Sequence, residues 1–239
     1  MPMPNEIKDA FNQASAVVEL AFEAKHTPSD GAPTPTQLIE AINKFFVVYD
    51  KLGTNPDQNH AFSKESISDI GEQTISCLVE LSAWAQKLDL SKEKAILDEL
   101  ALAVAHWVIR QRGEIRNLEV IVNMLAAKAN QTSDKTVLTA LFHVMNDVIE
   151  NTAPELRTDI EKSDPYSPWR MLNFNFAIVA TRTMNKDLMI SAFDTLGRNL
   201  PEECPQFFEE GLRQSEKAVY GPEIKAMMAE YFKKWATLH

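Results

Sequence analysis

A chain of 239 residues that is 45% apolar and 24% charged has the composition of a folded globular protein, with enough length to bury a sizeable core. Its net charge of −10 excludes a general affinity for nucleic acid or anionic membrane, which draws on a surplus of Lys and Arg. Glycine is scarce, with 7 in the chain, and most of these stand where an apolar, helix-periodic run stops. Glycine weakens a helix interior and is favoured just past a helix end, so the chain reads as all-α.

The first predicted helix runs from about Asn5 to Lys25, with Ile7, Ala10, Phe11, Ala14, Val17, Val18 and Ala21 on one face. His26 to Thr34 carries two prolines and a glycine and reads as a loop. The second helix opens with Thr34 as N-cap and Pro35 at the first helical position, where proline's missing N–H leaves nothing unpaired. Leu38, Ala41, Ile42, Phe45, Tyr49 and Leu52 form its stripe, Gly53 ends it, and a polar loop follows to His60. A third helix covers about Ser63 to Leu88, and Gly71 within it predicts a kink or a close helix crossing. Ser91 is expected to cap a fourth helix that ends at Gly113. Its stretch from Leu100 to Ile109 is apolar on nearly every side, which predicts burial on more than one face at the middle of the fold. That stretch is about half the length that spans a bilayer.

The fifth helix repeats the stripe at Leu118, Ile121, Val122, Leu125 and Ala129, and the sixth at Leu138, Leu141, Phe142, Met145, Val148 and Ile149. Residues 151–167 break the rhythm around Pro154 and Pro165, which predicts at most one short helix and a subdomain seam within a single all-α domain spanning 1–239. Further helices are expected from about Ser167 to Met184, Lys186 to Leu196, Pro201 or Pro205 to Lys217, and Pro222 to Leu238. In the last of these, Ile224, Met227, Met228, Tyr231 and Trp235 form one face. It should be buried, and truncating a fully buried Trp235 would cost about 3–5 kcal/mol.

About ten helices joined by short connections make antiparallel hairpins, arranged as a right-handed α-α superhelix or as a compact multihelical array. A hairpin of about forty residues has the length of HEAT and armadillo units, a likeness of period alone, since no internal sequence repeat accompanies it. Eleven of the 20 aromatic residues lie from Tyr166 onward, so the C-terminal third is expected to hold the bulkier core, with helices spaced more widely. Cys77 and Cys204 are far apart inside helical patterns and read as free thiols in a reducing compartment. The opening Met-Pro-Met-Pro-Asn-Glu has no signal-peptide character. Both features point to a cytoplasmic protein.

Chemistry-bearing constellations are sparse. Glu23-Ala24-Lys25-His26 and Asp57-Gln58-Asn59-His60 resemble single ligand pairs of a di-metal bundle, but neither has a matched partner. His143, Asp147 and Glu150 share a helical face, without another His or Cys nearby to complete a metal site. His106 and Trp107 sit in the most apolar helix and read as core. No nucleophile elbow, phosphate loop or dinucleotide fingerprint occurs, so neither a metal nor a cofactor is expected.

Two features suggest binding. Arg110, Arg112 and Arg116 gather around one turn, where guanidinium groups can grip a carboxylate or phosphate or offset a helix C-terminus. Tyr166, Trp169, Arg170 and Asn173 cluster at a proline-bracketed helix entry, with Arg182 further along the same helix; Trp, Tyr and Arg are enriched at recognition surfaces. The sequence therefore favours a non-catalytic scaffold for a protein or peptide partner, with no nucleic acid and no membrane; it does not fix the oligomeric state and is compatible with a homodimer. The competing expectation is a small-molecule binder or enzyme with an apolar interhelical pocket near Trp107 or Trp169. An open groove with polar and aromatic walls would favour the scaffold, and a closed pocket with convergent polar groups the alternative.

Overall fold

A computed structural model describes residues 4–25, 31–52, 62–157, 166–217 and 220–236. These residues are all-α, as predicted. Ten α-helices follow in order: α1 (Pro4–Lys25), α2 (Pro35–Leu52), α3 (Lys64–Lys87), α4 (Ser91–Arg110), α5 (Leu118–Asn130), α6 (Lys135–Asn151), α7 (Pro168–Thr183), α8 (Lys186–Asn199), α9 (Cys204–Lys217) and α10 (Pro222–Ala236). Short 3-10 turns occupy Pro154–Arg157 and Pro201–Glu203, and the described residues hold no strand beyond the single bridged pair Ile115 and Thr152. No described helix is long and apolar enough to cross a membrane. His26, the loop 53–61 and residues 158–165 of the 151–167 segment lie outside the described residues.

Helix starts follow local chemistry closely. Thr34 and Gln37 form a reciprocal cap: the Thr34 N–H donates to Gln37 Oε1 at 2.9 Å, and the Gln37 N–H donates to Thr34 Oγ1 at 3.4 Å. Ser63 Oγ accepts the Ser66 N–H at 3.1 Å, and Asn185 Oδ1 accepts those of Asp187 and Leu188. The expectation for Ser91 is corrected. Leu90 holds the cap position with no side-chain bond, and Ser91 is already helical, because the turn at Asp89 (φ 64°) brings the chain into the helix one residue early.

The chain divides into two compact units, residues 1–124 with 151–157, and residues 125–150 with 158–239. In the first, α1 to α4 run up, down, up and down. Lys8 near the start of α1 pairs with Asp50 near the end of α2, and the Lys25 ammonium at the end of α1 donates to the Leu88 carbonyl after α3. α1 packs on α2, α3 and α4 alike, so these helices close on themselves instead of stacking in a line as a solenoid's do. α4 carries the predicted two-sided burial. Leu97, Ala101 and Val108 are buried, and Trp107 meets Phe45 of α2 edge-on with ring centroids 5.1 Å apart. Gly71 marks a crossing and not a kink, since α3 continues unbroken and a Cβ at Gly71 would overlap the Val108 Cγ2 methyl. The Ile115 N–H donates to the Asn151 carbonyl and the Ala153 N–H to the Ile115 carbonyl, tying 151–153 to this unit.

In the second unit α7 to α10 again alternate in direction. Arg170 near the start of α7 pairs with Glu203 just before α9, and Lys186 at the start of α8 pairs with Glu223 near the start of α10 at 2.9 Å. Phe142 of α6 stacks on Phe176 of α7 with centroids 4.5 Å apart, and Phe193, Phe208 and Tyr231 close the centre. Aromatic filling is not confined to this unit, because Phe11, Phe45, Phe46 and Tyr49 of α1 and α2 form a cluster in the first. The α10 stripe is corrected in degree. Ile224 and Met228 are buried, but Met227, Tyr231 and Trp235 are half-buried, with the Trp235 ring lying against Gly197 of α8.

Candidate functional site

Arg110 and Arg112, at the end of α4 and in the turn beyond it, are both exposed, and Arg112 takes a left-handed φ of 62°. Arg116 turns back onto α3. Its guanidinium pairs with Glu65, with Asp69 at 2.5 Å and with Glu72 at 3.7 Å, three carboxylates at i, i+4 and i+7 of one helix. The hydrogen bond to Glu65 leads the causes that raise the Arg116 pKa, with a second bond to Asp69 adding to it and burial opposing it. Arg116 therefore holds α3 to the 113–117 turn, which leaves Arg110 and Arg112 as the solvent-facing members of the predicted trio.

The second predicted cluster separates into different jobs. Tyr166 is 78% exposed, whereas Trp169 is buried and Asn173 fully so. Asn173 donates from Nδ2 to the Trp169 carbonyl at 2.8 Å and accepts from Asn199 Nδ2 at 2.8 Å, which pins α7 to α8. Arg182 donates to the carbonyls of Ala129 and Thr132 at 2.8 and 2.5 Å. The Ala129 carbonyl belongs to the last turn of α5 and the Thr132 carbonyl lies just beyond it, so Arg182 acts as a C-terminal cap.

Arg170 faces a cleft. Its Nη2 donates to Glu203 Oε2 at 2.5 Å, and its guanidinium lies 5.1 Å from the centre of the Phe174 ring. The Phe207 ring stacks on that of Phe174 at 5.3 Å with an interplanar angle of 19°. Beside these groups a cleft of about 300 Å³ runs between α7 and α9. Arg170, Phe174, Ile178 and Thr181 form one wall at i, i+4, i+8 and i+11; Glu203, Phe207, Gly211 and Gln214 form the other at the same spacing, with Tyr220 and Met228 closing it. The spacing is what makes it a cleft: each helix presents one face along three turns. Ile178, Gln206 and Gln214 are exposed, so the cleft is open to solvent along its length.

The cleft's carboxylates are paired with arginines, while the buried Arg170 Nε has no hydrogen-bond partner among the described residues. Glu203 holds Arg170, and Glu210 accepts from Arg213 and from Gln214 Nε2 at 2.7 Å. Among the described residues no three His, Cys, Asp or Glu are grouped to hold a metal ion; His143 and Glu150 are exposed and Asp147 half-buried. Cys77 and Cys204 are free thiols. Burial pushes the Cys204 thiol up to about 12 and raises that of Cys77 as well, which leaves both in the protonated, weakly nucleophilic form at neutral pH. The arrangement can bind an apolar group under a polar rim.

Sequence reasoning reached Arg170 and missed most of the cleft. Phe207, Ile178 and Gly211 carried no motif, although the doublet Phe207-Phe208 held a usable signal: adjacent helical residues point about 100° apart, so both cannot face one core. Phe208 is fully buried, and Phe207 is turned to the cleft. Trp107 lies inside the first unit against Phe45 and Tyr49, and the cleft opens one residue past Trp169 without touching its ring. Comparison of the chain with protein-family models, curated proteins and solved structures finds no match.

Proposed function

We propose that this protein is a non-catalytic binding module that seats a segment of a protein or peptide partner between α7 and α9, in a cytoplasmic, reducing setting suited to its two free thiols. One observation carries the reading: an open groove with an aromatic wall and a rim of amides and paired charges, in which no set of polar groups converges on a point. Catalytic and small-molecule sites depend on such convergence, whereas helical grooves that take peptides combine apolar anchoring with a polar edge. A small apolar ligand in the same cleft is the second reading, supported by its volume of about 300 Å³.

Selection of displayed peptides against the immobilised protein separates the two. Peptides that bind the native chain and lose binding to Ile178→Gln support the groove, because Ile178 is 45% exposed and its substitution leaves the core intact. Failure to recover such peptides, together with a thermal shift from small apolar compounds, would favour the second reading.

A further inference from the structure

We infer that the segment seated in the α7–α9 groove is uncharged there and sets a carboxamide, from Asn or Gln, against the Arg170–Glu203 pair beside an apolar anchor. The inference rests on the groove reading above and adds the partner's chemistry. It starts from the group the groove leaves unmatched. Arg170 donates to Glu203 Oε2 through Nη2, and its buried Nε has no hydrogen-bond partner among the described residues. Nε and Nη2 form the side of a guanidinium that a carboxylate grips with both oxygens, so Glu203 fills half of that fork. A buried donor without an acceptor costs free energy that an occupant's oxygen recovers. Both residues line the groove and both side chains are partly exposed, 19% for Arg170 and 30% for Glu203, so a small turn of the singly bonded pair brings Nε to an occupant.

Charge decides which acceptor fits. The lining carboxylates Glu203 and Glu210 are each held by an arginine, so neither calls for a cation. A Lys or Arg in the occupant would bring no acceptor for Nε. An Asp or Glu would bring one, but it would stand as a second carboxylate beside Glu203, where Arg170 is already engaged. A carboxamide is neutral; its oxygen accepts from Nε, and its NH2 donates to Glu203, which keeps Oε2 on Arg170 and offers Oε1. The apolar anchor follows from position. Phe174 stands one turn from Arg170 along α7 and Ile178 one turn further, so an apolar side chain laid on these two sits about a turn from the carboxamide.

Random displayed peptides of about 12 residues, selected on the full chain and kept only if they lose binding to Ile178→Gln, supply the probe, and the strongest is synthesised for fluorescence anisotropy. The selected peptides should share apolar residues with an Asn or Gln about a turn away, and their affinity should change less than about twofold between about 50 and about 300 mM salt. Replacing the shared amide residue by Leu should weaken binding to the native chain by about tenfold and to Arg170→Lys by less than about twofold, because lysine keeps a cation for Glu203 but not the fork. Glu203→Gln is a second test that leaves Arg170 in place: it uncovers the cation, so the Glu version of the peptide should gain on the amide version. Equal losses from the Leu replacement on the native and Arg170→Lys chains, or no gain by the Glu version on Glu203→Gln, would overturn the carboxamide contact and leave the groove standing. Ile178-dependent peptides enriched in Asp and Glu, or in Lys and Arg, would overturn the uncharged occupant, again with the groove standing. Recovery of no Ile178-dependent peptide would overturn the groove reading and this inference with it.

Discussion

The two units fill the space where helices meet with different residues, and the α7–α9 groove follows from one of those choices. In the first, α3 and α4 approach so closely that Gly71 has no room for a Cβ against Val108. Backbone stands near side chain at that crossing. In the second, α7 and α9 meet through two stacked phenylalanine rings, Phe174 and Phe207, which hold the helices apart and leave about 300 Å³ beyond them. A glycine also stands here, but Gly211 faces the Met228 thioether across ordinary contact distance, 3.4 Å from where its Cβ would be. Small residues close a helix pair only when the opposite helix can move in, and bulky rings elsewhere along the pair prevent that.

The largest test of the closed unit is Trp107→Ala. The side chain is 4% exposed and packs on Phe45 and Tyr49, so truncation should cost about 3–5 kcal/mol in chemical denaturation. Gly71→Ala should follow, at about 1–3 kcal/mol from overpacking, and Val108→Ala in the same chain should recover part of the loss. Additive effects would mean that the α3–α4 crossing is not what makes Gly71 necessary. In the open unit Trp235→Ala should cost about 2 kcal/mol, less than a fully buried tryptophan would, because its ring is only half-buried against Gly197.

The thiols extend the comparison across the two units. Cys204 is fully buried and Cys77 only partly so, and native-state labelling should modify Cys77 first. Burial raises the folded-state pKa of Cys204 from the ordinary 9.0 to about 12, so above pH 9 the folded state binds more protons than the unfolded one. Its contribution to stability is complete below pH 9 and declines as pH rises toward about 12. Cys204→Ala should flatten that alkaline slope in pH-dependent melting. The smallest effect is expected of Gly211→Ala. Helix propensity should stabilise α9 by about 0.5–1 kcal/mol, and the added methyl should narrow the groove. A stabilised variant that keeps full affinity for groove-binding peptides would show that Gly211 does not shape the groove's α9 wall.

Local rules made much of the fold legible before any tertiary contact was considered. Thr34-Pro35, Ser167-Pro168 and Gly221-Pro222 announce helix starts because a cap oxygen or a missing N–H acts within one turn, and the stripe Leu138, Leu141, Phe142 and Met145 reports one buried face of α6. The binding surface was legible only in part. Arg116, Asn173 and Arg182 carry the composition of a recognition site and instead hold helices together, because a guanidinium or amide serves a carboxylate or an open carbonyl of its own chain as well as one of a partner. Sequence determined which residues are helical and which face of most helices is apolar, since both depend on neighbours within four positions. Only the tertiary structure decided that α1 returns to α4, that Gly71 meets Val108, and that Phe174 stacks on Phe207 beside an open groove. Those contacts join residues more than thirty positions apart, and their geometry depends on how whole side-chain surfaces fit, which no local period encodes.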